Sequence, residues 1–275
     1  MNKELKHKAE PFLRWAGGKK WLIKHLDKLL PKDGFNRYFE PFLGGGSIFL
    51  AINPQNESFL SDLNEELIQT YATLRNSPEL IIEILQQFEN TKEFYYKIRE
   101  EQFEDPIHKA ARFIYLNQTS FNGIYRVNLK GKYNVPYGFR TKNFLEKDKL
   151  ITVSKRLKNT TLSHGDFSKI KGKVKEKDLI FLDPPYTVSH NDNGFIKYNQ
   201  KLFSLKDQER LSKLIDHIKD QGAYYILTNA AHKKIDEIFS KGDYRYEKER
   251  ASLIGGINAE RGKIKEYVFT NIKSS

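Results

Sequence analysis

The chain contains no cysteine. Disulfides, thiolate nucleophiles and cysteine-ligated zinc or iron–sulfur centres are therefore excluded, and the composition fits a reducing compartment such as the cytoplasm. No apolar run approaches the roughly 20 residues of a membrane helix. The opening MNKELKHKAEP is charged and lacks the apolar stretch of a secretory leader. There is no internal repeat, no low-complexity tract, no GxxxxGK[ST] phosphate loop and no GxGxxG dinucleotide motif. What is present suits a soluble globular protein of one large or two modest domains: 275 residues, 39% hydrophobic and 30% charged. Lysine and arginine outnumber aspartate and glutamate 47 to 35, a formal charge of +12. Such a surplus serves solubility or a polyanionic partner, most often nucleic acid, and its location decides which.

Hydrophobic patterning predicts a strand over 38–43 that breaks at Gly44-Gly45-Gly46, then a helix from near Ser47. A second strand is expected over 58–61, with helical spacing over 62–71, 78–88, 91–103 and 106–118. That helical block interrupts the strand–helix alternation and marks an insertion. Arg126-Val127-Asn128 and Tyr133-Asn134-Val135 flank Lys130-Gly131, which suggests a hairpin or extended loop. Alternation then resumes with strands over 160–163, 178–182 and 223–228 and a helix over 205–219. Segments 246–253 and 264–272 bracket a glycine-rich basic connection, a terminal hairpin. The class is α/β with an open, mainly parallel sheet, and ligands of such sheets sit beyond the carboxyl ends of the strands. Gly44–Gly46, Asp62, Asp166 and Asp183 are expected there.

FEPFLGGGS offers close backbone approach at glycine and free N–H groups at a helix start, although a tight turn also needs glycine. Asp62 lies 18 residues beyond Gly44. An acidic residue about 20 residues on is the usual partner of ribose hydroxyls, and a helix N-cap is the plainer role. Together these features favour an adenosine-containing ligand without a pyrophosphate. In DLIFLDPPYTVSH an apolar strand ends at Asp183, Pro184, Pro185 and Tyr186. Prolines lack an N–H and have fixed φ, so they hold carbonyl acceptors beside the Asp183 carboxylate. An exocyclic amino group has two hydrogens, and Asp183 with the Pro184 carbonyl matches them, while Tyr186 gives a purine a stacking face. The plain alternative is a strand-ending turn with a structural aspartate. Segment 121–145 holds Arg126, Lys130, Lys132, Arg140 and Lys142 with no acid, interleaved with Phe121, Tyr125, Tyr133, Tyr137, Phe139 and Phe144. That mixture suits phosphates and unstacked bases, or else a solvated loop whose aromatics pack inward.

These stretches, with FLRWAGGKKWL, SDLNEELI, GDF, NQTSFNGIYRVNLKGKYNVPYG and RASLIGGINAERGKIKE, resemble the S-adenosylmethionine-dependent DNA amino-methyltransferases. Within them the motif order is similar to the Dam-type adenine-N6 group that modifies GATC, over nearly the whole chain. The resemblance implies an open, mostly parallel Rossmann-like methyltransferase sheet with a terminal antiparallel hairpin, plus an inserted helical DNA-recognition domain. The catalytic, S-adenosylmethionine-binding domain would be 1–70 and 150–275, and the target-recognition domain 71–149. Trp15 and Lys19 would hold the methionine part of the cosubstrate, Phe39, Gly44, Gly45 and Gly46 would line its cleft, Asp62 would bind ribose, and Asp166 and Phe167 the adenine ring. Asp183, Pro184, Pro185 and Tyr186 would hold a target adenine flipped out of double-stranded DNA. Arg14, Phe121, Asn122, Ile124, Arg126, Lys130, Lys132, Asn134, Pro136 and Arg140 would contact DNA. No metal and no membrane are expected, and a restriction endonuclease acting separately is a conceivable companion. An N4-cytosine methyltransferase shares the acceptor chemistry, but that class more often has Ser before Pro-Pro. An adenine methyltransferase for another sequence, a silent DNA-binding regulator and a nicotinamide-dependent oxidoreductase are the remaining rivals. Intact Asp183 and Lys19 oppose the regulator, and the missing GxGxxG opposes the oxidoreductase.

Overall fold

The structure, a computed structural model, describes residues 9–128, 131–186, 203–251 and 263–273. Lys130 and the glycine-rich connection before Lys263 lie outside these residues. The strands are β1 (Tyr38–Glu40), β2 (Ser58–Asp62), β3 (Thr160–His164), β4 (Leu179–Leu182), β5 (Tyr224–Ala230), β6 (Tyr244–Ala251) and β7 (Lys263–Thr270). The helices are α1 (Lys20–Ile23), α2 (Leu26–Leu29), α3 (Ser47–Ile52), α4 (Glu65–Asn76), α5 (Pro78–Gln86), α6 (Lys92–Glu100), α7 (Pro106–Thr119), α8 (Lys147–Arg156), α9 (Leu205–Asp220) and α10 (Lys233–Phe239). One seven-stranded sheet runs in the order β3-β2-β1-β4-β5-β7-β6. β4 pairs in parallel with both β1 and β5, while β7 is antiparallel to β5 and β6. The expected mainly parallel sheet with an antiparallel terminal hairpin is therefore the fold. All four residues of β4 (LIFL) are buried, as a central parallel strand covered on both faces requires.

The chain divides into two compact units. The first comprises 1–20, 43–55 and 60–165. In it α7 packs on α4, α5 and α6. Its start is set by Asp105, whose Oδ1 accepts from the backbone N–H groups of Ile107 and His108 at 3.0 Å, ahead of Pro106 in the first turn. Buried tyrosines fill this unit with their hydroxyls satisfied. Tyr95 donates to the Val135 carbonyl at 2.8 Å and Tyr115 to that of Glu89 at 2.7 Å. Burial pushes both phenols above the ordinary tyrosine range.

The second unit comprises 21–42, 56–59 and 166–275. Its core gathers Ile180 and Leu182 of β4, Tyr225 and Leu227 of β5, Leu211, Leu214 and Ile218 of α9, and Phe269 of β7. α9 begins with a reciprocal capping box between Ser204 and Asp207. Arg37 forks onto Asp178, with Nε to Oδ1 at 3.0 Å and Nη2 to Oδ2 at 2.6 Å, and its guanidinium lies over the Phe39 and Phe59 rings at 5.3 and 5.4 Å. Asp178 also accepts the Lys175 backbone N–H at 2.8 Å. This bidentate pair leads the chain into β4.

Several element boundaries differ from expectation, two of them beside the glycine turn and Asp62. β1 stops at Glu40, because Pro41 cannot donate to a ladder. The helix expected over 62–71 starts at Glu65. Its N-cap is Asn64, which accepts the Leu67 N–H at 3.0 Å, so Asp62 is not a cap. Replacing Asp178 by Ala should lower the unfolding free energy by about 1–3 kcal/mol, since it strips acceptors from Arg37 and from the Lys175 N–H. Urea unfolding of the two proteins measures it, and an unchanged midpoint would show that the fork contributes nothing.

Candidate functional site

In the first unit the glycine turn is built around one carboxylate. Asp62, half-buried at the end of β2, accepts the Gly44 N–H on Oδ2 and the Asn64 N–H on Oδ1, both at 2.9 Å. Burial pushes this carboxyl above the usual range, against the pull of those N–H donors and of His164. Each carboxylate oxygen can accept more than one hydrogen bond, so the group still has acceptor capacity. Gly44 has φ 48°, and a Cβ there would stand 2.7 Å from the Trp15 ring. Gly46 has φ 64°, and a Cβ there would meet the Tyr71 hydroxyl at 2.9 Å. That hydroxyl donates to the Gly44 carbonyl at 3.2 Å. Only glycine fits either position. Gly45 packs on Trp15 as well.

Trp15 stacks on Tyr125 with ring centres 5.8 Å apart, and Tyr125 donates to Glu66 at 3.0 Å. Lys19 is not a solvated lysine. It is 2% exposed, its Nζ donates to the Gly17 carbonyl at 2.9 Å, and its backbone N–H reaches Ser47 Oγ at 3.4 Å. Trp15, Lys19, Gly44, Gly45, Gly46 and Asp62 thus form one cradle.

The basic segment of the same unit is a bridged loop. Val127 and Tyr133 form an antiparallel bridge, and Ser120 and Tyr137 form another. Asn117 bonds Arg14 through both backbone groups at 2.8 Å, and its amide also reaches the Gly123 carbonyl at 3.3 Å. The Arg14 guanidinium donates to the Ser120 carbonyl at 3.2 Å. Burial and the nearby Arg140 charge lower its pKa. Gly123 has φ 62°, and a Cβ there would lie 2.5 Å from Arg14. This clasp holds the turn that presents Phe121, 53% exposed, and Asn122, exposed with φ 55°.

Arg126 is exposed and anchored by Asn134, with Nε to Oδ1 at 2.8 Å and Nη2 to the carbonyl at 3.2 Å. Lys132 and Pro136 are exposed, and Ile124 and Arg140 half-buried. The aromatics divide. Tyr133 and Tyr137 are buried, Tyr125 and Phe144 half-buried, and only Phe121 and Phe139 (71%) face outward. Most of the aromatic interleaving is therefore packing.

In the second unit Asp183 ends β4 and accepts the Thr228 hydroxyl on Oδ1 at 2.8 Å. Pro184 is buried, Pro185 half-buried, and the Tyr186 hydroxyl donates to Glu266. Asp166 accepts the Ser168 N–H at 3.0 Å and Arg210 Nη2 at 2.8 Å. Burial opposes ionisation of Asp166, but the Ser168 and Arg210 donors outweigh it and hold the carboxyl below the usual carboxylate range. Arg210 lies over the buried Phe167 ring at 4.9 Å and also holds Asp207 at 2.8 Å. Phe39 is a correction. Expected to line a ligand cleft, it is 0% exposed and stacked on Phe59 at 4.6 Å, because β1 is buried on both faces. Sequence reasoning missed Thr228, Glu266 and Arg210. Among the described residues no group of three or more His, Asp or Glu is placed to hold a metal, and no helix is long and apolar enough to cross a membrane.

A family model for D12 class N6 adenine-specific DNA methyltransferases matches residues 15–253. The type II methyltransferase M1.LlaDCHI of Lactococcus lactis subsp. cremoris is 34% identical over 273 residues, 95% of each chain. The type II methyltransferase M.MjaIII of Methanocaldococcus jannaschii is 34% identical over 244 residues, 81% of this chain and 84% of its own. The DNA adenine methylase of Escherichia coli K12 is 27% identical over 252 residues, 90% of each. With the family match spanning most of its length, this chain belongs to the D12 class of N6 adenine-specific DNA methyltransferases, which implies S-adenosylmethionine as methyl donor and DNA as substrate.

Proposed function

We propose that the protein methylates adenine N6 in GATC within double-stranded DNA, acting on a base extruded from the helix. The observation that carries this reading is the Asp183–Tyr186 corner. A carboxylate stands there with one oxygen fixed by Thr228, beside rigid proline carbonyls and an anchored aromatic ring.

The cradle suits the donor, because Gly44 and Gly45 lie against Trp15 and present backbone with no Cβ in the turn. Trp15 and Lys19 are assigned to the methionine part, Gly44–Gly46 to its approach, Asp62 to the ribose hydroxyls, and Asp166 and Phe167 to the adenine ring. Phe39 supports from the core. When bound, the donor supplies an electrophilic methyl group on a sulfonium sulfur. Asp183 and the Pro184 carbonyl accept the two amine hydrogens, which turns the nitrogen lone pair out of conjugation and toward that methyl. As the N–C bond would form and the methyl–sulfur bond break, leaving a neutral thioether, nitrogen would carry one proton too many, and the Asp183 carboxylate is the acceptor at hand. Tyr186 stacks on the base, and Pro185 stiffens the corner. Catalysis is positioning, with about 3 Å between reacting atoms.

Segment 71–149 is assigned to target recognition, and 1–70 with 150–275 to catalysis. Arginine has five N–H donors, and Asn134 engages two of those of Arg126, which leaves a fork suited to guanine O6 and N7. Ile124 and Pro136 suit a thymine methyl. Phe121 fills the gap left by the flipped base, with Asn122 beside it and Arg14 clasping the turn. Lys130, Lys132 and Arg140 serve phosphates. A different adenine-containing site is the second reading, favoured by relatives that are named type II methyltransferases. Under it, a separate restriction endonuclease sharing that site is the companion.

Asp183→Ala should abolish methyl transfer and leave DNA affinity nearly intact, because the carboxylate attracts no phosphate. Turnover near wild type in a tritium-transfer assay would sink the assignment. Arg126→Ala should cost about 1–3 kcal/mol and relax choice at one base pair. Duplexes that each alter one GATC position test this, and an unchanged ranking would remove Arg126 as the reader. If wild type itself ranks another adenine site first, GATC is wrong. Lys132→Ala should weaken binding to all duplexes alike and flatten the log–log salt dependence by about one unit. An unaltered slope would make Lys132 a solvent-facing charge.

A further inference from the structure

Two buried polar side chains in the second unit remain without a role. Thr228 and Glu266 are both 0% exposed. A buried hydroxyl on a central strand costs stability unless it is bonded, and valine would match its shape without that cost. A buried carboxylate costs far more. Their partners are instructive. The β4–β5 register pairs Leu182 with Leu227, so the next residues along, Asp183 and Thr228, come level, and the Thr228 hydroxyl donates to Asp183 Oδ1 at 2.8 Å. β7 places Glu266 opposite Ala230 of β5, and Glu266 accepts the Tyr186 hydroxyl. The same two buried groups thus grip the two side chains of the Asp-Pro-Pro-Tyr corner.

We propose that Thr228 and Glu266 are positioning residues for methyl transfer. Thr228 stops rotation of the Asp183 carboxylate and so fixes how it meets the amine. Glu266 fixes the plane of the Tyr186 ring, whose other end is already constrained by Pro184-Pro185. Both acceptor and stacking face are then set before the base arrives. This rests on the reading that Asp183 and Tyr186 hold the target adenine.

The test uses full-length Thr228→Val, Thr228→Ser, Glu266→Leu and Glu266→Gln, with Asp183→Ala alongside. Steady-state kinetics on a GATC duplex are combined with fluorescence of a duplex carrying 2-aminopurine at the target position. Thr228→Val should lower kcat by about 10- to 100-fold with little change in KM for DNA, as loss of orientation predicts. Thr228→Ser, which keeps the hydroxyl, should return most of the rate. 2-Aminopurine lacks the N6 amine, so its signal with Thr228→Val should match wild type. Glu266→Leu should lower kcat and also change that signal, because the stacking ring is released. Glu266→Gln, which keeps an acceptor, should change both far less. If the valine variant fails to fold, Thr228→Ala carries the same expectation. A wild-type kcat in Thr228→Val, or a loss that serine does not rescue, overturns the role of Thr228. Wild-type kinetics and fluorescence in Glu266→Leu overturn that of Glu266. If Asp183→Ala is inactive while these variants are normal, only this inference fails. If Asp183→Ala turns over normally, the reading beneath it fails too.

Discussion

A single carboxylate organises the glycine turn. Asp62 takes one backbone N–H from the turn and one from the start of α4, so the end of β2, Gly44 and the helix entry share one point of attachment. Everything else in the cradle follows from that tie. With Gly44 drawn onto Asp62, its Cα faces the Trp15 ring, and the left-handed backbone at Gly44 and Gly46 becomes obligatory. Tyr71 closes the turn from the other side through the Gly44 carbonyl. The burial that makes the carboxyl reluctant to ionise is only partly countered by the very N–H groups it organises.

The same economy governs the basic loop. Arg14 does not simply project its charge. It is stapled to Asn117 through the backbone and to Ser120 through the side chain, and it occupies the space that any side chain at Gly123 would need. The exposed Phe121 stands on this support, with Asn122 in the left-handed region. An exposed ring gains a fixed position from a turn with so little freedom.

Much of this was legible in the chain. Strands announced themselves as short apolar runs ended by glycine, aspartate or proline, and Asp-Pro-Pro-Tyr stood out because its residue types can form a rigid set of acceptors. Other features were hidden for definite reasons. α8 carries Ile151-Thr152-Val153 among lysines, a β-branched run that masks its helical period. α10 has a single short turn of apolar residues. Ser61-Asp62-Leu63-Asn64 offers three side chains able to cap, and only geometry shows Asn64 doing so. Phe39 has the residue type of a ligand contact, but a strand covered on both faces has no side left for one. Arg210, Thr228 and Glu266 lie 44, 45 and 80 residues from their partners, and such pairings exist only once the register is set.

The position of β7 has an implication for how the protein is made. It runs between β5 and β6, both of which precede it in the chain, so β6 has no place in the sheet until β7 arrives. Glu266 travels with it. During synthesis, Tyr186 leaves the ribosome 80 residues ahead of the side chain that anchors it. The nascent polypeptide thus carries its Asp-Pro-Pro-Tyr corner well before the tyrosine of that corner has its anchor. The sheet is complete only when that late strand arrives, and the anchor of the Tyr186 ring arrives with it.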